Sequence, residues 1–136
     1  MSLTILLGEV DMTRKQSQQE RIDALAKICL VLPGTTREDK GSHAAFLVGK
    51  KIFAYYLNNH HDDNIVSVCC KVLPGENTFL VESNPRRFYL PAYLASRGWI
   101  GLRMDLPTLN WTEVKELIHG SYLQLAPTRL ASRVKG

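Results

Sequence analysis

Apolar positions along this 136-residue chain recur at two different periods. Between residues 17 and 34 the period is helical. Ile22, Leu25, Ala26, Cys29 and Leu32 return every three or four positions, which lines them along one face. Ser17-Gln18-Gln19-Glu20 precedes them as a capping box, in which a serine hydroxyl and a glutamate carboxylate each satisfy an orphan amide of the first turn. Pro33-Gly34 stops the run, so a first helix is predicted here.

Strand character follows. Ala44–Val48 and Ile52–Leu57 are predicted strands joined by Gly49-Lys50-Lys51, a hairpin turn with glycine to supply positive φ. A third, Ile65–Val72, is reached across the polar connection Asn58-Asn59-His60-His61-Asp62-Asp63-Asn64, and such short links imply an antiparallel meander. Pro74-Gly75-Glu76 opens a short helical segment holding Phe79, Leu80 and Val81, which ends at Asn84-Pro85. A fourth strand runs Trp99–Leu106, with Ile100, Leu102, Met104 and Leu106 on its apolar face and Trp99, Gly101, Arg103 and Asp105 opposite. Asn110-Trp111-Thr112-Glu113 is a second capping signal, followed by Val114, Leu117, Ile118 and Leu125 at helical spacing. Pro127 suits the first position of a last helix carrying Leu130 and Val134. This order predicts an α+β fold: an antiparallel β-sheet meander flanked by helices on one face.

Composition fits that picture. With 45% hydrophobic residues, the chain can bury a core as one domain without disulfides or metal. The domain is expected over residues 17–136, with residues 1–16 standing outside it as an added or partly disordered segment. No apolar run approaches the roughly 20 residues that cross a bilayer, and Leu3–Leu7 is too short for a signal-peptide core. Three cysteines, Cys29, Cys69 and Cys70, make a poor disulfide framework and suit a reducing, cytoplasmic setting. Cys70 alternates with Val66, Val68 and Val72, as a buried strand residue does.

Charge adds a location. Residues 1–84 hold 9 Lys/Arg against 10 Asp/Glu, whereas residues 85–136 hold 8 against 3, so the net +4 originates after Asn84. The candidate functional surface is therefore cationic. Lys50 and Lys51 occupy a hairpin tip, where long cations reach phosphates. Arg86, Arg87 and Arg97 lead into the fourth strand. By alternation, Lys71, Arg103 and Trp99 point away from the apolar face, and Arg129, Arg133 and Lys135 close the chain. Phosphate contacts give sequence-independent, salt-sensitive affinity, and an exposed aromatic such as Trp99 offers a stacking platform.

Several segments resemble the MmcQ/YjbR-like family. They are Leu32-Pro33-Gly34-Thr35-Thr36, Gly49-Lys50-Lys51-Ile52-Phe53-Ala54, Pro91-Ala92-Tyr93-Leu94, Arg97-Gly98-Trp99-Ile100-Gly101-Leu102 and the pair Ser121-Tyr122. Where family members often end Lys-Leu-Pro after Ser-Tyr, this chain reads Ala126-Pro127-Thr128-Arg129-Leu130. The resemblance implies a CyaY-like, frataxin-type fold. It also implies a non-enzymatic DNA-binding role, with β-hairpin wings contacting double-stranded DNA weakly and largely without sequence preference. The alternative expectation is a protein-interaction module using the exposed sheet face around Trp99. A monomer is expected.

Other chemistry has less behind it. His60-His61-Asp62-Asp63, with His43, contains metal-ligand types, but adjacent residues on an extended chain diverge, so a solvated loop is expected and no metal or cofactor. No Gly-x-Ser-x-Gly, Walker A or dinucleotide fingerprint occurs, and Cys69 has no sequence-placed histidine to act as a base. No enzymatic role is expected.

Overall fold

The computed structural model describes residues 17–59 and 63–135. The segment 1–16, expected to stand outside the domain, lies outside the described residues, as do His60, His61 and Asp62 of the metal-ligand motif. Helix α1 spans Gln18–Leu30 and begins at the capping box. The Glu20 amide donates to Ser17 Oγ at 3.1 Å, and the Ser17 amide donates to Glu20 Oε1 at 2.8 Å. At its other end the Thr35 hydroxyl donates to the carbonyls of Leu32 and Cys29, tying β1 to the turn that leaves the helix.

Six strands follow: β1 Thr35–Lys40, β2 His43–Val48, β3 Lys51–Asn58, β4 Val66–Lys71, β5 Phe88–Tyr89 and β6 Trp99–Arg103. They form one sheet in the order β1-β2-β3-β4-β6-β5, antiparallel at every pairing. Helix α2 spans Glu76–Ser83, α3 spans Trp111–Leu125 and α4 spans Thr128–Lys135. Two strands were not foreseen. β1 reads Thr-Thr-Arg-Glu-Asp-Lys and shows no apolar alternation, because it is a charged edge with β2 as its one neighbour. β5 has only two residues, too few for any period to register. β6 also stops at Arg103 rather than Leu106.

The first face of the sheet carries the main core. Phe46, Ala54, Val68, Cys70, Ile100 and Leu102 point into it and share one cluster with Leu25 and Cys29 of α1 and Ile118 and Tyr122 of α3. A register shift between Phe46 and Leu47 bulges the facing strand, so Phe53 and Ala54 are both fully buried. Phe53 meets the Tyr122 ring edge-on, centroids 5.6 Å apart. Ser121 serves the backbone there: its hydroxyl donates to the Phe53 carbonyl at 2.7 Å and accepts the Lys71 amide at 2.9 Å. Tyr122 Oη donates to the Pro33 carbonyl at 2.6 Å. Leu130 of α4 lies so close over Gly34 that a Cβ there would come within 2.7 Å of it. Helix α4 is thereby held at the end of the sheet where β1 begins.

The cysteines follow expectation. All three are unpaired and buried, and burial pushes the thiols of Cys29 and Cys70 well above their ordinary range. No helix among the described residues is long and apolar enough to cross a membrane.

Candidate functional site

The second face of the sheet is organised by one row of residues. Glu38, Ala45, Tyr55, Cys69, Gly101 and Tyr89 are each in register with the next across β1-β2-β3-β4-β6-β5. The two halves of this row differ sharply.

Over β4 and β6 the face is closed. The Tyr89 ring lies on Gly101 so tightly that a Cβ there would be 2.4 Å from Tyr89 Cε1; this is a close approach only glycine permits. The ring's hydroxyl shares a 2.7 Å hydrogen bond with Ser67 Oγ, and Cys69 Sγ lies 3.6 Å from the same oxygen. Burial, first of all, raises the pKa of both the Cys69 thiol and the Tyr89 phenol, so the cluster stays neutral and protonated. Its chemistry is that of a satisfied polar contact beneath a lid rather than of an activated nucleophile.

Trp99 belongs to this closed half. The expectation that it faces outward as a stacking platform, or as the centre of an exposed interaction face, is corrected: only 6% of it is exposed. It does point to the second face, as alternation requires, but it is buried there with its ring 5.7 Å from that of Tyr55. Asn77 of α2 fastens the neighbouring chain by donating to the carbonyls of Ala95 and Trp99. Helices therefore do not account for all the cover of this sheet.

Over β1, β2 and β3 the same face is open and forms a groove of about 750 Å³. Ala45, Ile52, Tyr55 and Leu57 make its floor, and the segment 89–94 makes its wall. Tyr93 stands on that wall, 84% exposed, with φ at 69°. A tyrosine in the left-handed region costs on the order of 1–3 kcal/mol, and such residues cluster at binding and active sites. Its turn is held by the Leu94 and Ala95 amides, both donating to the Pro91 carbonyl. Glu38, Asp39 and Lys40 lie along one flank and Asp63 along another. His43 also lines the groove, its Nδ1 accepting the Asn58 amide at 3.1 Å. Sequence reasoning missed this site. The available signal was β3 itself, where Ile52 to Leu57 is apolar at every position, a pattern that implies apolar surroundings on both faces.

The sequence-predicted cations divide between the two ends of the sheet. Lys50 and Lys51 sit at the β2–β3 tip, both exposed. Arg129 and Arg133 are exposed on α4, which Leu130 holds against Gly34, beside the Thr35 that pairs with Val48. Lys71 and Arg97 also lie at this end, flanking Trp99, where β4 finishes and β6 starts. Arg103 is elsewhere. It is level with Leu57 through Ser67, so the run of β3 from Lys51 to Leu57, roughly 20 Å at ~3.3 Å per residue, separates it from the tip. Arg87 and Arg86 share its end, since the Arg103 amide donates to the Arg87 carbonyl. Two cations at that far end are already neutralised. Arg87 grips both carboxylate oxygens of Glu113 at 2.7 and 2.6 Å, and Arg103 pairs with Asp105 at 3.0 Å.

The connectivity, the bulge pinned by Ser121 and the segment folded back over β6 can now be set against known proteins. A family model described as YjbR matches residues 30–124. The chain belongs to the YjbR family. The crystal structure of Deinococcus radiodurans protein DR2400, a DUF419 domain, is similar with a TM-score of 0.65 at 20% identity, over 84% of this chain and 87% of that one. At that identity the likeness speaks for the fold alone. No curated protein matches.

In this YjbR chain the motifs that carry the resemblance hold the architecture. Pro33 receives the Tyr122 hydroxyl, Gly34 makes room for Leu130, Ser121 serves the bulge and Gly101 seats Tyr89. Pro91-Ala92-Tyr93-Leu94 differs from these, because it forms the groove wall.

Proposed function

We propose that this YjbR domain is a non-enzymatic protein that binds double-stranded DNA weakly and without sequence preference, through one end of its sheet. The observation that supports this is the pairing of the hairpin tip Lys50-Lys51 with Arg129 and Arg133 of α4. These four exposed cations at one end have no ion-pair partner among the described residues. Arg87 and Arg103, expected in the same footprint, already hold carboxylates and contribute less. Trp99 takes no part. The contact is to phosphates, whose neutralisation releases counterions. We take the overall arrangement as CyaY-like, supported by the order of one helix, a four-stranded antiparallel meander, a short helix, two further strands of the same sheet and two closing helices. Three unpaired thiols support a cytoplasmic setting.

Fluorescence anisotropy with a short labelled duplex tests this reading. Affinity should fall with salt at a log–log slope of about −3 to −4, near −0.9 for each of four phosphate contacts. Lys50→Glu with Lys51→Glu should weaken binding at least about tenfold, while Arg86→Glu, at the opposite end, should change it by less than about twofold. A flat salt response, or an equal loss in both variants, would overturn the proposal.

A further inference from the structure

The groove on the second face lies away from the proposed phosphate-binding end and has a different character. Its floor is apolar, with the half-buried Tyr55 ring in the middle, and its wall supplies Tyr89, Leu90 and Tyr93. About 750 Å³ lies within the range of cavities that hold small organic molecules. The flanks are acidic in a chain that is otherwise basic. Glu38 and Asp63 face it against the single Lys40, an excess of one carboxylate in a chain whose net charge is +4, while Asp39 beside them is already paired with Arg37 at 2.6 Å. A negative potential beside aromatic ring faces favours a cation and disfavours an anion. Phosphate-bearing ligands are thereby disfavoured at this site.

We propose that the groove binds a small amphipathic organic cation, an aromatic or aliphatic body bearing one protonated amine. The body lies across Ala45, Tyr55 and Leu57. The amine faces the Glu38 and Asp63 flanks. Tyr93 closes over the exposed side, and its left-handed backbone holds the ring on the rim where this contact is made. The chain's own side chains explain why the site is vacant of protein: Ala45 is the small residue of the row on the open side, as Gly101 is on the closed side, but here none of the described residues comes down to fill the space.

Three indoles of equal body and different charge test this: tryptamine, 3-methylindole and indole-3-acetate, titrated into the full chain by calorimetry at low salt. Tryptamine should bind at least about tenfold more tightly than indole-3-acetate, with 3-methylindole between them. Glu38→Gln should cut that preference about threefold, and Ala45→Trp should abolish binding of all three. Should Ala45→Trp fail to fold, Tyr93→Ala removes an exposed wall residue and should weaken tryptamine at least about threefold. Lys50→Glu with Lys51→Glu should leave indole binding unchanged. The assignment is overturned if no indole binds, if the anion matches the cation, or if both Ala45→Trp and Tyr93→Ala leave affinity intact. Sedimentation showing a dimer that Ala45→Trp dissociates would also overturn it, because a second copy would then occupy the face.

Discussion

One row of residues crosses the second face of the sheet, and its two halves are completed differently. At Gly101 and Cys69 the chain returns and closes on itself. The missing side chain of Gly101 becomes the seat of the Tyr89 ring, and Ser67 gives that ring's hydroxyl a partner. At Ala45 and Tyr55 the strands are still paired residue to residue, beside the bulge at Phe53, yet no described segment lies across them and the deficit of volume persists as a groove. The lesson is that strand pairing does not decide whether a face is core or site. A small residue does so only together with a segment long enough, and correctly partnered, to reach it.

The largest expected effect contrasts the two halves directly. Trp99→Ala in the closed half should cost about 3–5 kcal/mol in urea unfolding, as large buried truncations do. Leu57→Ala in the open half should cost about 1 kcal/mol or less. Comparable losses would erase the distinction. Next comes Gly101→Ala, whose new Cβ would meet three Tyr89 ring atoms below 3.0 Å; about 2–3 kcal/mol is expected, with the tyrosine lifted from its seat. Tyr89→Phe keeps the ring and loses the hydroxyl's bond to Ser67, for about 1 kcal/mol.

The smallest effect belongs to the opposite face and supplies a control. His119 on α3 has its pKa lowered from the ordinary 6.5 by burial and by the Lys115 charge. The folded imidazole therefore takes a proton less readily than the unfolded one. Well above pH 6.5 both states leave the imidazole unprotonated; as pH falls through 6.5 toward the lower folded value, the unfolded state is protonated first and stability declines. His119→Gln should flatten that part of the stability–pH curve, measured by denaturant melts, without touching the contrast between halves.

Much of this architecture is legible in the sequence because it rests on local rules. The capping box of Ser17 and Glu20, the Asn110 cap whose side chain accepts from the Thr112 and Glu113 amides, and the Cys70 alternation all act within a few residues. β1 was hidden because its charges satisfy solvent rather than a core, and β5 because two residues have no period. The candidate site was less visible still. Its floor comes from β2 and β3, its wall from a segment more than 30 residues later, and its acidic flank from an edge strand the pattern did not show. Trp99 shows the limit of alternation. The period gives the face to which a side chain points, but what lies on that face is decided by residues remote in sequence: the Tyr55 ring packs against that of Trp99, and Asn77 holds the Trp99 carbonyl.

Thiol labelling measures the central claim most directly, because Ala45, Tyr55 and Cys69 share one row of the same face. In native conditions Cys29, Cys69 and Cys70, all buried, should resist a maleimide reagent, while Ala45→Cys should add one promptly reactive thiol, slowed when tryptamine occupies the groove. If the thiol introduced by Ala45→Cys is as inert as Cys69, or if Cys69 reacts as fast, the face is not divided into a closed and an open half.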